Sequence, residues 1–405
     1  MHNSKPYLSL LKIPGLLPLL VAATLSRLAA RMFALTMVLL ALARYSSPTL
    51  AGWLTFAAVT PGILVSPIAG AFLDRIGPTT ALRIDMAAGA IFAVAISSGG
   101  WAFRFSPCVL FILVMSFSLT SPLGSGGTRA LLPRLVPSPL LTKINAVDVA
   151  IYAIVDVVGP ATAGFLVACL GTEPAMFLIA AAYVAAALCL SRVQCFPGLA
   201  STQTTFLRQT IEGVQMIAHH PTLRGLAFSS SMFEFTWGVI SVVVPVSIAR
   251  HCPPSAVSVA TGLLWAAIGI AGVVGALLGG KMYIFGRERG VMAAGMLVTS
   301  FLASLGAANL GFPVFAVCLV IAGLVAGTIN VALVTLRQRR TDPQQLGRII
   351  SMSMSLNMAG FPLGAATAGM LIADHLWLTF VLAGVSSCFA ALATASIPPE
   401  KSRQV

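Results

Sequence analysis

"GAFLDRIGPTTALRID", residues 70–85, breaks a long apolar sequence with two acids and two arginines. The runs on either side, near 50–73 and 80–103, each match the hydrocarbon thickness of a bilayer. A short charged turn between two such runs joins two membrane-spanning helices. Gly70 and Gly77 allow a tight turn and a close helix approach. Asp74 is placed to cap the next helix or to pair with Arg75 or Arg83.

The rest of the chain repeats this pattern. Of 405 residues, 58% are hydrophobic and 9% are charged, whereas soluble domains carry about 25% charged residues. Twelve spans are expected, near 15–43, 50–73, 80–103, 107–131, 143–169, 174–193, 223–249, 257–280, 290–308, 312–336, 347–371 and 375–396. The fold class is an all-α membrane protein. The longest polar segment, 194–222, separates six spans in 1–193 from six in 223–405. Phe206, Ile211, Val214 and Ile217 recur within it at helical spacing, so it is expected to carry a short amphipathic helix on the membrane surface.

The net charge is +13. Its distribution follows topology rather than a nucleic-acid surface. Lys and Arg crowd the loops on the side of the N-terminus, while the opposite side holds little more than Arg44, Arg104 and Arg250. That bias places both termini in the cytoplasm. The apolar run at the N-terminus is too long for the core of a signal peptide. The seven cysteines mostly lie in apolar runs without paired spacing, so neither a disulfide framework nor a metal site is expected. His219 and His220 read as a solvated helix end, because no further ligand stands at metal-binding spacing. "GALLGGKM" (275–282) begins like a phosphate-binding loop, but Met282 follows the lysine and no strand precedes it. No nucleotide cofactor and no catalytic motif are expected, and the chain does not read as an enzyme.

The two halves look like copies. "PLLTKINA" (139–146) aligns with "QQLGRIIS" (344–351), and "GAFLDRIGP" (70–78) with "GGKMYIFGR" (279–287). Internal repeats of this kind mark transporters with a binding site near the bilayer midplane.

A few charges fall inside the spans, where each costs roughly 2.5–3.5 kcal/mol on insertion scales and calls for a cavity or a partner. Arg27 and Arg31 share one face of the first span with Ala23, Thr24, Ala30 and Ala34. In the fifth span Asn145, Asp148, Tyr152, Asp156 and Gly159 align; in the seventh, Ser230, Glu234, Trp237 and Ser241; in the eleventh, Ser353, Asn357, Gly360 and Gly364. Arg27, Arg31, Asp156 and Glu234 are placed at similar central depth. Asp85 and Asp148 lie nearer the cytoplasmic ends and suit latch or interface roles. An ion pair from Arg27 or Arg31 to Asp156 is open on this reading, either as a lock between helices or as part of a ligand site.

Residues 70–79 resemble the loop 2–3 signature of the major facilitator superfamily, with Gly70, Asp74, Arg75 and Gly77 in place and Pro78 and Thr79 where basic residues are usual. The resemblance covers essentially the whole chain and implies two pseudo-symmetric six-helix bundles. It also implies a cytoplasmic latch, to which Arg83, Asp85 and Arg129 are assigned with the four signature residues. "RALLPRLVPSPLLTKINA" (129–146), "GPATAG" (159–164) and "LRQRRTDPQQLGR" (336–348) are similar to stretches in the bacterial macrolide-efflux and enterobactin-exporter group. Gly159, Pro160 and Gly164 resemble the helix-5 motif of drug/proton antiporters, with Ala163 in place of one glycine.

What the resemblance implies is a monomeric inner-membrane exporter of a drug, siderophore or metabolite, coupled to protons by rocker-switch alternating access. Glu234 is then the first choice of proton carrier and Asp156 the second. Arg27, Arg31, Tyr152, Phe233, Trp237, Trp265 and Asn357 are the candidate substrate residues. The alternative on the same scaffold is an importer or facilitator of a small anionic metabolite, or a lipid or siderophore transporter.

Overall fold

The structure, a computed structural model, describes residues 13–101, 105–137, 140–194, 219–281, 286–308, 311–340 and 356–398. Proline and glycine set the helix boundaries. Pro48, Pro78, Pro107, Pro221 and Pro254 each open a helix, where a missing N–H costs nothing. Gly77 turns the chain between two helices with φ of +85°, and its N–H closes the preceding helix on the Leu73 carbonyl at 2.9 Å.

The described residues form twelve α-helices: α1 (Leu16–Tyr45), α2 (Pro48–Ile76), α3 (Pro78–Trp101), α4 (Pro107–Leu135), α5 (Leu141–Leu170), α6 (Thr172–Leu190), α7 (Pro221–His251), α8 (Pro254–Lys281), α9 (Glu288–Ser304), α10 (Phe312–Arg339), α11 (Gly360–Leu371) and α12 (Leu376–Ala393). All but α11 are long and apolar enough to cross a membrane. The expected span 347–371 is described only from Leu356 onward, and α11 forms its second half. No strand occurs among the described residues. Most of the expected amphipathic segment, the repeat at 344–351 and most of 336–348 lie outside the described residues.

The chain forms two compact units: Met1–Leu40 with Ala57–Phe206, and Ala41–Phe56 with Leu207–Val405. In the first, α3 packs against α4 and α6. Phe33 of α1 stacks on Phe117 of α4 at 3.9 Å, and Phe117 meets Tyr183 of α6 edge-on at 6.1 Å. In the second, α7 is the central helix and packs on α11 and α12. Hydroxyls tie these helices together: Ser229 donates to the Ala390 carbonyl at 2.8 Å, Thr236 to Ala383 at 3.1 Å and Ser386 to Met232 at 2.7 Å. Such bonds matter in a lipid solvent, where apolar burial gives little drive for helices to associate.

Candidate functional site

In the first unit, α1 and α5 are joined by two ion pairs. Arg27 Nη1 donates to Asp148 Oδ1 at 2.7 Å, and both side chains are 10% exposed. The Arg27 guanidinium also lies over the Tyr152 ring, 3.8 Å from its centroid. One turn further along α1, Arg31 Nε lies 2.6 Å from Asp156 Oδ1, with side chains 52% and 46% exposed.

Helix geometry accounts for the pairing. Arg31 and Asp156 each stand fifteen residues past the start of their helix, about 22 Å along at 1.5 Å per residue. Arg27 lies about 16 Å into α1 and Asp148 only about 10 Å into α5. Helical side chains lean toward the N-terminus, so the long Arg27 stem spans that difference. Both pairings ascend together, which is the pattern of two helices running in the same direction.

Gly159 makes this approach possible: a Cβ there would lie 2.6 Å from the Arg31 Cβ. Gly159 and Gly164 are buried, and Pro160 sits within α5. The glycine of the helix-5 motif is therefore the seat of Arg31.

Of the two pairings to Asp156 left open by the sequence, the structure forms the one from Arg31. Arg27 answers to Asp148, a residue placed near the cytoplasmic end and given an interface role. The signal was present, since Asp148, Tyr152 and Asp156 follow one another at four-residue spacing, as Arg27 and Arg31 do.

The latch residues are not brought together. Asp74, Arg75, Arg83 and Arg129 are exposed and form no ion pair among the described residues. Gly70 is half-buried, and Gly77 is the buried turn. Asp85 belongs elsewhere than the latch. Its carboxylate packs against Gly124 of α4. Residues two apart on a helix point to opposite sides, which turns Asp85 inward while Arg83 faces out.

The repeated loop behaves differently. Glu288, at the start of α9, is 2% exposed and accepts from Arg339 Nη1 of α10 at 2.5 Å. With a repeat offset of 209 residues, Arg339 falls next to the position of Arg129. The charge clasp expected after α2 is thus formed in the second copy.

In the second unit, Phe233, Trp237 and Trp265 form the expected aromatic group, each neighbouring pair at 6.4 Å between ring centroids. Phe233 is 6% exposed and packs with Leu226, Met292 and Met296, so its weight is in the core. Trp237 and Trp265 are half-buried beside it. Glu234 is half-buried on α7 and Asn357 is buried.

Among the described residues, eleven helices long and apolar enough to cross a membrane, with one enclosed and one half-exposed ion pair between two of them, have the build of a polytopic membrane protein. Residues 226–405 match the family model described as Major Facilitator Superfamily. The chain is 58% identical over 400 residues to the MFS-type transporter y4rN of Sinorhizobium fredii, covering 99% of each. It is 23% identical to Macrolide efflux protein A of Streptococcus pyogenes, over 84% of this chain and 83% of that one. A crystal structure of the nucleoside transporter NupG superposes with a TM-score of 0.74 at 12% identity, over 95% of this chain and 100% of that one. The chain belongs to the major facilitator superfamily, as the loop at 70–78 had implied.

Proposed function

We propose that this transporter exports a small molecule by proton antiport across a bacterial inner membrane, with both termini in the cytoplasm. The carrying observation is the Arg31–Asp156 pair. It stands about halfway along its helices, yet its side chains are 52% and 46% exposed. Charges at that depth are too costly to face lipid, so the pair faces water within the protein. Arg27 and Asp148, nearly enclosed and braced by Tyr152, fix α1 to α5; Arg31 and Asp156 are the part that exchanges partners.

In this reading ionised Asp156 and Arg31 together hold the substrate through its donor and acceptor groups, and protonation of Asp156 from the opposite side removes the carboxylate's hold and expels it, so that proton and substrate occupy the site in turn. Glu234 serves as a second proton carrier beside Trp237 and Trp265, with Asn357 as a further polar contact. The six-helix halves, 1–193 and 223–405, rock as monomeric bodies about the 194–222 linker. The similarity to Macrolide efflux protein A supports export as the direction, with drugs, siderophores or metabolites as the proposed substrate range.

A reading as an anion importer uses the same pair in the opposite direction. The buried Nη2 of Arg27, which has no hydrogen-bond partner, favours an acceptor-rich substrate in either direction. Transport assayed in inverted vesicles and in whole cells separates the two, because an exporter accumulates its substrate only in the inverted vesicles.

A further inference from the structure

The geometry points to a binding site for a zwitterionic phospholipid headgroup, of the phosphatidylethanolamine class, at one membrane surface of the second unit. This rests on the spans crossing a bilayer and not on the transport reading. A cavity of about 390 Å³ opens where α7 ends and where α10 and α12 begin. Three spans reach their ends there, so the cavity lies at the level of the headgroups.

The lining matches a zwitterion. Arg250 and His251 bring cationic or donor groups from the end of α7, and Asp374 brings an anion from the turn before α12. Arg250 and Asp374 face one cavity without forming an ion pair with each other. Each is left to its own counter-charge, which a phosphate and an ammonium two carbons apart supply together. The His251 ring is held in place from two sides, since its Nδ1 bonds the Ser247 carbonyl at 2.8 Å and it stacks on Phe312 at 6.3 Å. Ser247 lines the cavity, and its buried hydroxyl lacks a partner. Trp377, 58% exposed at the rim, is the residue type that seats itself at a membrane–water boundary. The apolar remainder of the wall suits the glycerol and the upper acyl chain. A volume of this size lies at the lower end of the range for small-ligand sites.

The test uses the full-length protein in detergent, titrated with dioleoyl phosphatidylethanolamine, dioleoyl phosphatidylcholine and soluble glycerophosphoethanolamine, with bound molecules counted by native mass spectrometry. The ethanolamine lipid is expected to be retained about tenfold better than the choline lipid, because methylation removes the charged N–H groups that Asp374 accepts. Asp374→Asn abolishes that preference while leaving choline-lipid retention unchanged, and Arg250→Gln weakens retention of both lipids. The soluble headgroup alone competes poorly. Equal retention of the two lipids by the unmodified protein, or a preference that survives Asp374→Asn, overturns the proposal. Competition by the soluble headgroup equal to that of the lipid overturns it as well, making the occupant a free phosphoethanolamine. A variant that melts at an altered temperature is replaced by Asp374→Ser or Arg250→Lys. Transport is not read, so a failed transport mechanism leaves this result unaffected.

Discussion

Arg31 and Asp156 meet at 2.6 Å across α1 and α5 while remaining about half exposed. One turn away, Arg27 and Asp148 make the same chemical contact almost fully enclosed. The same ion pair in two environments predicts two different phenotypes.

Breaking the exposed pair should cost little stability and much activity. An exposed ion pair contributes about 0–1 kcal/mol, so Asp156→Asn should leave the melting temperature of the purified protein nearly unchanged. Transport should nonetheless fall at least about a hundredfold, the share of a positioned proton-transfer group at its low end. A stable, fully active Asp156→Asn protein reduces the pair to decoration.

Breaking the enclosed pair should do the reverse. Asp148→Asn leaves the Arg27 charge uncompensated, and breaking a buried pair typically costs about 3–5 kcal/mol. The double variant Arg27→Met with Asp148→Leu should recover most of that loss. Thermal unfolding of the two variants side by side checks the claim, and a double variant no more stable than Asp148→Asn contradicts it.

Gly159 should tolerate no side chain. A Cβ would lie 2.6 Å from the root of the Arg31 side chain, which cannot swing aside as a side-chain tip can. Gly159→Ala should cost about 1–3 kcal/mol, the range for overpacking, and Gly159→Leu should lower both expression and melting temperature. Gly280, where an added Cβ meets nothing within 4 Å, should accept alanine without penalty.

A similar seat occurs where α2 begins. Within the second unit, a Cβ on Gly52 would lie 2.6 Å from the Gly369 Cα of α11. In the alternating-access reading this contact must form and separate. Gly52→Leu should hold it apart, raising the labelling rate of a cysteine placed at 53 while abolishing transport. Unchanged labelling places the contact outside the cycle.

Glu288 and Arg339 form their clasp in the copy of the loop that lost its aspartate-arginine signature. Reversing the pair, Glu288→Arg with Arg339→Glu, should restore the stability that either single reversal removes. Additive losses in that thermal-unfolding cycle would show that the two charges do not interact.

The span pattern is legible because membrane helices declare themselves by length and hydropathy; the starts read near 50, 80, 107, 223 and 257 from hydropathy lie at Pro48, Pro78, Pro107, Pro221 and Pro254 in the structure. The charged stripe on α5 was legible from spacing as well. The pairing was not. Residue numbers give depth along an axis, whereas the lean of a side chain decides which carboxylate it reaches, so Asp148 was passed over for Arg27. Asp85 shows the same limit: next to exposed charges in sequence, it is turned inward by a two-residue offset on the helix. The latch at 74–83 was read from residue types that permit an ion pair, and permission does not place the partners together. Phe233, assigned to substrate, is held by core contacts that no local pattern reveals.

Transport in inverted vesicles shows whether Asp156 couples export to the proton gradient. Vesicles carrying the unmodified protein or Asp156→Asn are energised to acidify their lumen and offered a panel of macrolides, siderophores and anionic metabolites. At least one compound is expected to accumulate with the unmodified protein, nigericin to abolish the accumulation, and Asp156→Asn to fail to support it. Accumulation that persists with nigericin, or that Asp156→Asn sustains at the normal rate, contradicts that coupling.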